Sequence, residues 1–345
     1  MMLKYIISFL IAFISSLLLV PVIKFLAYKF NVLDHPGFRK IHQHPVPLMG
    51  GFVVFPSFLL ANWFGREALP GQFWNISIIG CFLIFFGLFD DAGIKIKARY
   101  KIWTHLAFSF LLIYLTGMSF DFFRLDLINI VITACFITFM TNSMNMLDGM
   151  DGLVSGLSFF MFIFFGFLAL NSGQLGLLTI AASGMGATLG FLKYNFASAS
   201  IFLGESGSTW LGFILAVFAI NINLYDLWKI AIPLGIERLQ LISFFIPLII
   251  LGIPIFDTYF VFANRFFHRI KFSQPGKDHS HHRIHLMGFS HRDTVLSLYA
   301  IQIILGAIAL SMVRANLQQF IALSMIVVVF FVGFTFFLTR IKVYS

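Results

Sequence analysis

MNMLDGMDG, Met144 to Gly152, lies between two long apolar stretches, roughly 127–144 and 153–171. A bilayer is crossed by about 20 mostly apolar residues, so each stretch can span one. Two carboxylates, Asp148 and Asp151, therefore sit where the chain turns between membrane passes. Ionisable groups are costly there and by default mark a functional site. The composition agrees with that setting. Of 345 residues, 59% are hydrophobic and 11% charged, against about 25% charged in a soluble domain. Mean hydropathy is +0.94. A polytopic, all-α membrane protein is expected, not a soluble enzyme with one anchor. The net charge of +9 is then loop charge, which sets orientation and attracts anionic lipid or phosphate. No soluble domain remains to bind nucleic acid. Cys81 and Cys135 lie inside apolar runs, so no disulfide framework is expected. Residues 1–27 lack a small-residue cleavage site and are too long an apolar run for a signal peptide, so they are read as a span.

The hydropathy pattern predicts about eleven transmembrane helices, roughly 3–27, 48–64, 73–89, 102–119, 127–144, 153–171, 174–192, 208–223, 240–263, 294–313 and 318–339. Alternating connections place 17 of the 23 Lys and Arg on one face, counting Lys24 there. The positive-inside bias makes that face cytoplasmic, with the N-terminus outside and the C-terminus cytoplasmic. A single membrane domain, 1–345, is expected. Its cytoplasmic loops 28–47, 90–101, 145–152, 193–207 and 264–293 form the active face, and every cluster of polar, potentially catalytic residues falls on it.

Asp90 and Asp91 end the third expected span. Adjacent helical residues point about 100° apart, so one acid could act as a base while the other holds a cation. The basic residues behind them, Lys95 to Lys101, suit a phosphate or a loop anchor. Asn142, Asn145, Asp148 and Asp151 recur at three-residue spacing. On a continuous helix, neighbours in that series share a face. Glu205 stands between glycines, with Ser206 and Ser208, just before a span. Backbone N–H groups there could cap a helix and meet phosphate, and the carboxylate could hold Mg²⁺. Five histidines, His279, His281, His282, His285 and His291, fall within 13 residues. Zinc is one explanation. The interleaved Lys277 and Arg283 and the lack of a nearby Cys suit a diphosphate better. Arg39, Lys40 and His42 occupy a basic, Pro-rich loop. Each stretch also has a plainer explanation, as a solvated loop, an ordinary helix cap or a topology signal. Asp257, within the ninth expected span, is either functional or a buried structural acid.

Together the expected face offers six acids, many cations and no Ser or Cys nucleophile. Mg²⁺ takes one or two carboxylates plus phosphate oxygens, and phosphoryl transfer needs mainly positioning and charge neutralisation. The set Asp-Asp, Asn-x-x-Asn-x-x-Asp-Gly-x-Asp-Gly, Gly-Glu-Ser-Gly-Ser and His-x-His-His, in this order, resembles the polyprenyl-phosphate N-acetylhexosamine-1-phosphate transferases. These start cell-envelope glycans such as O-antigen, enterobacterial common antigen or wall teichoic acid. The resemblance runs from Asp34 to about Arg292. It implies transfer of a HexNAc-1-phosphate, foremost GlcNAc-1-phosphate, from UDP-HexNAc to undecaprenyl phosphate, with UMP released, at a bacterial inner membrane. The related phospho-MurNAc-pentapeptide translocases are less similar, with His-His-His-Phe-Glu where this chain has His279 to His282.

By this resemblance Asp90 is the base for the lipid phosphate, and Asp91 lies near metal or phosphate. Asn142, Asn145, Asp148 and Asp151 surround the nucleotide and catalytic centre. His279, His281, His282 and Arg283 bind diphosphate or sugar, and Lys40 lies near the uridine. The implied cofactor is Mg²⁺, with Mn²⁺ as the alternative, held by Glu205 and Asp91. The family usually carries Asp at position 205, and Glu sets the carboxylate one methylene further out. The partners expected are UDP-HexNAc, undecaprenyl phosphate, the bilayer and, as a homodimer, a second copy of the chain. Two other functions fit a polar membrane protein: an anion transporter, and an inactive family member acting as a scaffold.

Overall fold

The structure is a computed structural model that describes residues 2–36, 44–65, 71–271, 276–341 and 343. It is almost wholly helical. In chain order the long helices are α1 (Leu3–Lys29), α2 (Gly51–Phe64), α3 (Phe73–Asp91), α4 (Ala98–Thr116), α5 (Asp126–Leu147), α6 (Leu153–Asn171), α7 (Leu175–Asn195) and α8 (Gly204–Asn221). Shorter pieces follow: a 3₁₀ turn (Tyr225–Leu227), α9 (Trp228–Ala231), α10 (Leu239–Ser243), α11 (Phe245–Ile250), α12 (Gly252–Phe267) and α13 (Ser280–Leu286). Helices α14 (His291–Val313) and α15 (Leu317–Thr339) close the chain. The described sheet is a two-residue antiparallel ribbon, β1 (Leu33–Asp34) with β2 (Val46–Pro47).

Seven of these helices, α1, α3, α5, α6, α7, α14 and α15, are long and apolar enough to cross a membrane. Two bent pairs bring the described count to nine: α8 with Tyr225–Ala231, at 49°, and α10–α11 with α12, at 83°. The protein is thus a multi-pass membrane protein, but the count of eleven is not reached on length and composition. The expected span 48–64 falls on α2, whose 14 residues are short for a crossing. The expected span 102–119 falls on α4, which opens on Arg99 and Lys101. The expected span 240–263 is broken at Leu251 rather than continuous.

Small residues decide how the helices approach, because lipid tails provide no hydrophobic drive for one helix to seek another. On α1 the buried positions include Ser8, Ala12, Ser16 and Val20, a stripe at i, i+4 spacing. It meets Gly186 and Gly190 of α7, where any Cβ would strike the α1 backbone. The centre of the molecule is α8, buried from Gly204 to Ile220. Its first turn is gripped by two neighbours through glycines. A Cβ on Gly87 of α3 would lie 2.5 Å from Ser206 Cα, and one on Gly51 of α2 would lie 2.6 Å from the Gly207 nitrogen. At the periphery, α15 fully buries only Phe320, Val327 and Leu338, with Phe331 and Phe334 half-buried against Phe256.

Gly87→Ala is expected to lower the thermal unfolding midpoint in detergent, at an overpacking cost of about 1–3 kcal/mol. Gly333→Ala on α15, with no atom within 4 Å of the added carbon, should leave the midpoint unchanged or raise it.

Candidate active site

The first turn of a helix exposes N–H groups without intrahelical acceptors. In α8 they are met from another helix. Asp91, the last residue of α3, accepts the Glu205 N–H at Oδ1 (2.7 Å) and the Ser206 N–H at Oδ2 (3.1 Å). The N–H groups expected to meet phosphate thus meet a carboxylate of the chain itself. Gly204, at φ +75°, brings the chain into this turn, and a side chain there would collide with Leu48 O and Asp91. The neighbouring Asp90 points elsewhere, as adjacent helical positions must. Its Oδ1 accepts the Ile96 N–H at 3.2 Å and pairs with Lys101 Nζ at 3.0 Å. Lys101 also pairs with Glu205 Oε2. The other Glu205 oxygen, Oε1, is buried and has no hydrogen-bond partner among the described residues.

The three-residue series of Asn and Asp does not run along one helix. α5 stops at Leu147, Asp148 leaves the helix at φ −74° and ψ 65°, and α6 resumes after Gly152 at φ +76°. Asn142 and Asn145 remain on α5. The Asn142 amide donates to Thr138 O of its own helix (2.7 Å), whereas Asn145 Oδ1 accepts from Ser208 Oγ of α8 (3.0 Å). Asp151 Oδ2 accepts the Ala199 N–H at 2.8 Å. The Asp148 carboxylate receives no hydrogen bond among the described residues. Burial, and next the charges of Asp91 and Asp151, push its pKa up to about 8.

Asn195, at the end of α7, ties this turn to the next one. Its Oδ1 accepts from the Gly152 N–H (3.1 Å) and Ser155 Oγ (2.7 Å), and its Nδ2 donates to Ile201 O (2.9 Å). The segment between carries two non-glycine residues at positive φ, Ala197 and Ser198. Phe202 N–H donates to Pro47 O, and Gly50 N–H donates to Phe202 O, which seats the ribbon against the start of α8.

The histidine segment hangs on Asp257 of α12. Its Oδ2 accepts from His279 Nδ1 (2.7 Å), and its Oδ1 accepts from the Ser280 N–H (2.7 Å) and Oγ (2.6 Å). Burial works against a charge on His279, but the Asp257 carboxylate overcomes it and lifts the pKa above the usual value. His282 goes the other way, down to about 4, through burial and the charges of His279 and Lys277. His281 is fully buried, and burial holds it well below the usual value. A side chain on Gly149 would meet its Nε2 at 2.5 Å, so this ring packs on the Asp148 turn. Arg283 is 2% exposed. Its Nη1 donates to Leu338 O (3.1 Å) and Ile341 O (2.6 Å), and its guanidinium lies 5.0 Å from the Phe260 ring.

One cavity of about 870 Å³ gathers Asp90, Asp91, Asn145, Asp148, Asp151, Glu205 and His282 of the expected residues. It does not gather Asn142, His279, His281 or Arg283. Arg283 was expected to bind substrate; its side chain is committed instead to carbonyls at the end of α15. Lys40 lies outside the described residues. The cavity adds Asp34, His44, Asn195, Phe196, Ser198, His291 and Arg292 to its walls. His291 and Arg292 stood within the expected histidine cluster. Asn195 had no signal in the sequence, being one more polar residue at a helix end.

The description of glycosyl transferase family 4 matches residues 73–223. A Bacillus subtilis protein named "Probable undecaprenyl-phosphate N-acetylglucosaminyl 1-phosphate transferase" is 30% identical over 338 residues, 95% of this chain and 90% of its own. The undecaprenyl-phosphate alpha-N-acetylglucosaminyl 1-phosphate transferase of Escherichia coli K12 is 25% identical, over 89% of this chain and 83% of its own. The decaprenyl-phosphate N-acetylglucosaminephosphotransferase of Mycolicibacterium smegmatis is 27% identical, over 80% and 74%. The chain belongs to glycosyl transferase family 4.

Two outcomes follow from the site geometry. Asp257→Asn should loosen the histidine segment, at a cost of about 3 kcal/mol for breaking a buried charged pair, read as lost hydrogen-exchange protection over 279–286. Asp148 is protonated in the folded protein up to about pH 8, whereas the unfolded chain ionises it near pH 4. Its contribution to stability therefore falls as pH rises from about 4 to 8 and levels off above. In chelator, the unfolding midpoint of Asp148→Asn should match the wild type near pH 4 and exceed it increasingly up to pH 8.

Proposed function

We propose that this family 4 chain transfers GlcNAc-1-phosphate from UDP-GlcNAc to undecaprenyl phosphate and so begins a cell-envelope glycan. The observation that carries this is the convergence of five carboxylates, Asp90, Asp91, Asp148, Asp151 and Glu205, on one cavity at helix ends. That arrangement suits two phosphorylated substrates, one soluble and one anchored in lipid. The names of the relatives favour neither a transporter nor a scaffold. In orientation, the cavity faces the cytoplasm at the inner membrane, the N-terminus lies outside and the C-terminus inside. This follows from the charge bias of the loops, with α2 and α4 completing eleven passes.

The donor set fits a hard divalent cation. Glu205 and Asp91 offer carboxylate oxygens, further acids stand in the same wall, and Glu205 Oε1 is buried without a partner among the described residues. Among the described residues no three metal-ligating side chains meet at one point. Mg²⁺ needs only one or two carboxylates when phosphates supply the rest. Glu205 and Asp91 would hold Mg²⁺ or Mn²⁺. Asp91 has both oxygens engaged by N–H groups, so only its remaining lone pairs are available. The bound ion would neutralise charge on the diphosphate.

In the reaction, an oxygen of the lipid phosphate bonds to the sugar-bearing phosphorus. The bond from that phosphorus to the bridging oxygen breaks, and UMP leaves with the electron pair. If the attacking phosphate carries a proton, a carboxylate must take it. The resemblance gives that role to Asp90, but Asp90 is already paired with Lys101. Asp148 carries its own proton below about pH 8, so it becomes the better matched acceptor once a cation in the site favours its ionised form. His282 contributes as a neutral imidazole. Asn195, in the cavity wall, and Asp257, outside it, hold the loops in place.

The test is UMP release from UDP-GlcNAc by purified protein with undecaprenyl phosphate and Mg²⁺, with product mass as the second readout. Asp148→Asn should lower kcat by about 10²-fold or more, and Glu205→Ala should raise the Mg²⁺ requirement. Wild-type protein that forms no UMP under these conditions would refute the assignment, and a fully active Glu205→Ala variant would remove Glu205 from the metal shell.

A further inference from the structure

Lys101 differs from Arg292, which stands exposed at the cavity wall on a helix start. Lys101 is not part of that wall. It comes from α4, behind the acids, and its side chain is only 15% exposed. Its ammonium bridges two carboxylates that do line the cavity, Asp90 at 3.0 Å and Glu205. These partners stand 11 and 104 positions away in sequence, on α3 and α8.

One ammonium carries one charge. It cannot balance Asp90 and Glu205 together, still less with further acids in the same wall. Glu205 is 8% exposed, and its Oε1 has no partner among the described residues. The carboxylate therefore has one oxygen committed to Lys101 and one buried oxygen left for a cation. Two cations of fixed position are in conflict over that group. The extra methylene of Glu is what carries the carboxylate towards α4, so an Asp at 205 would fall short of the ammonium.

We propose that Lys101 is a resident counter-cation that competes with the divalent ion for Glu205 and Asp90, and that metal loading displaces it. This rests on the reading that the site holds a divalent cation, but not on which sugar is transferred. The consequence is a site whose metal affinity is held down by its own lysine. A purely structural lysine, fastening α4 to α8, would have no such effect on metal affinity.

The experiment uses the full chain in detergent, without nucleotide or lipid phosphate. Mn²⁺ is the probe, and the free Mn²⁺ signal in electron paramagnetic resonance is the readout. Lys101→Met should tighten Mn²⁺ binding about tenfold, the equivalent of about 1.4 kcal/mol. Lys101→Arg, which keeps the charge, should not. In a Glu205→Asp background the gain from Lys101→Met should shrink, because the shorter side chain has already left the ammonium. Unchanged or weaker Mn²⁺ binding in Lys101→Met would overturn the proposal, as would an equal gain in both backgrounds.

The wild-type protein gives a second measurement that needs no variant. Acylation of Lys101 by an amine-reactive reagent, followed by mass spectrometry, should rise when Mn²⁺ is added and fall again with chelator. A constant labelling rate would count against displacement. These readouts separate from the enzymatic assignment. Lysine-dependent Mn²⁺ binding in a protein without UMP release keeps this inference and sinks the activity. Turnover with lysine-independent metal binding does the reverse.

Discussion

The carboxylate of Asp91 on the first turn of α8 is the contact on which the site depends. That turn presents unsatisfied N–H groups and the positive end of the helix dipole. Deep in a helical bundle, water is a poor substitute partner. A carboxylate from α3 satisfies two of the donors at once. The approach is permitted by Gly87 and Gly51, which leave no side chain between α8 and its neighbours. Once α3 ends there, Asp90 is turned towards Ile96 and Lys101, and Glu205 is set beside it. The adjacent pair of aspartates thus divides its labour by geometry: both line the cavity, but Asp91 caps the start of α8 while Asp90 pairs with Lys101.

The second determinant is the break in the helix after Leu147. A continuous helix would have aligned two amides and two acids on one stripe. The break frees Asp148 and Asp151 into a turn, and the turn is then held from three sides. Asn195 accepts from Gly152 and Ser155, Ala199 donates to Asp151, and the His281 ring packs on Gly149. Tyr299 adds a bond from α14 to Gly152 O at 2.5 Å. Asp148 is left with its carboxylate unengaged inside this frame. A rigid surround with one unsatisfied acid at its centre is a common arrangement for a group that handles a proton.

Charge is the third theme. Among the described residues the cavity wall holds several acids and, of the Lys and Arg, Arg292. Self-repulsion of this kind is costly to fold, and it is retained where a cationic ligand or an anion–cation complex completes the site. The histidine segment shows the opposite strategy. Asp257 engages three donors, and Arg265 forms a two-bond pair with Asp278 at 2.6 and 2.8 Å. There charges are closed off in pairs and serve to hold the backbone.

The amino-acid sequence by itself determined the membrane setting, the helical class and the approximate position of the long helices. Hydropathy, charge bias and motif spacing are sums over neighbouring residues, and these survive without a fold. At α2 and α4, length and the charges of Arg99 and Lys101 fall short of a plain span, and composition alone leaves those two passes open. Only the tertiary structure decided what each polar atom touches. Asp91 accepts two backbone N–H groups of α8, Arg283 donates to the carbonyls ending α15, and Lys101 meets a glutamate 104 residues away. Such partners are chosen by which helices lie side by side. A hydrogen bond reaches only about 3 Å, and nothing in the local pattern of a chain records which distant residue will arrive within that distance.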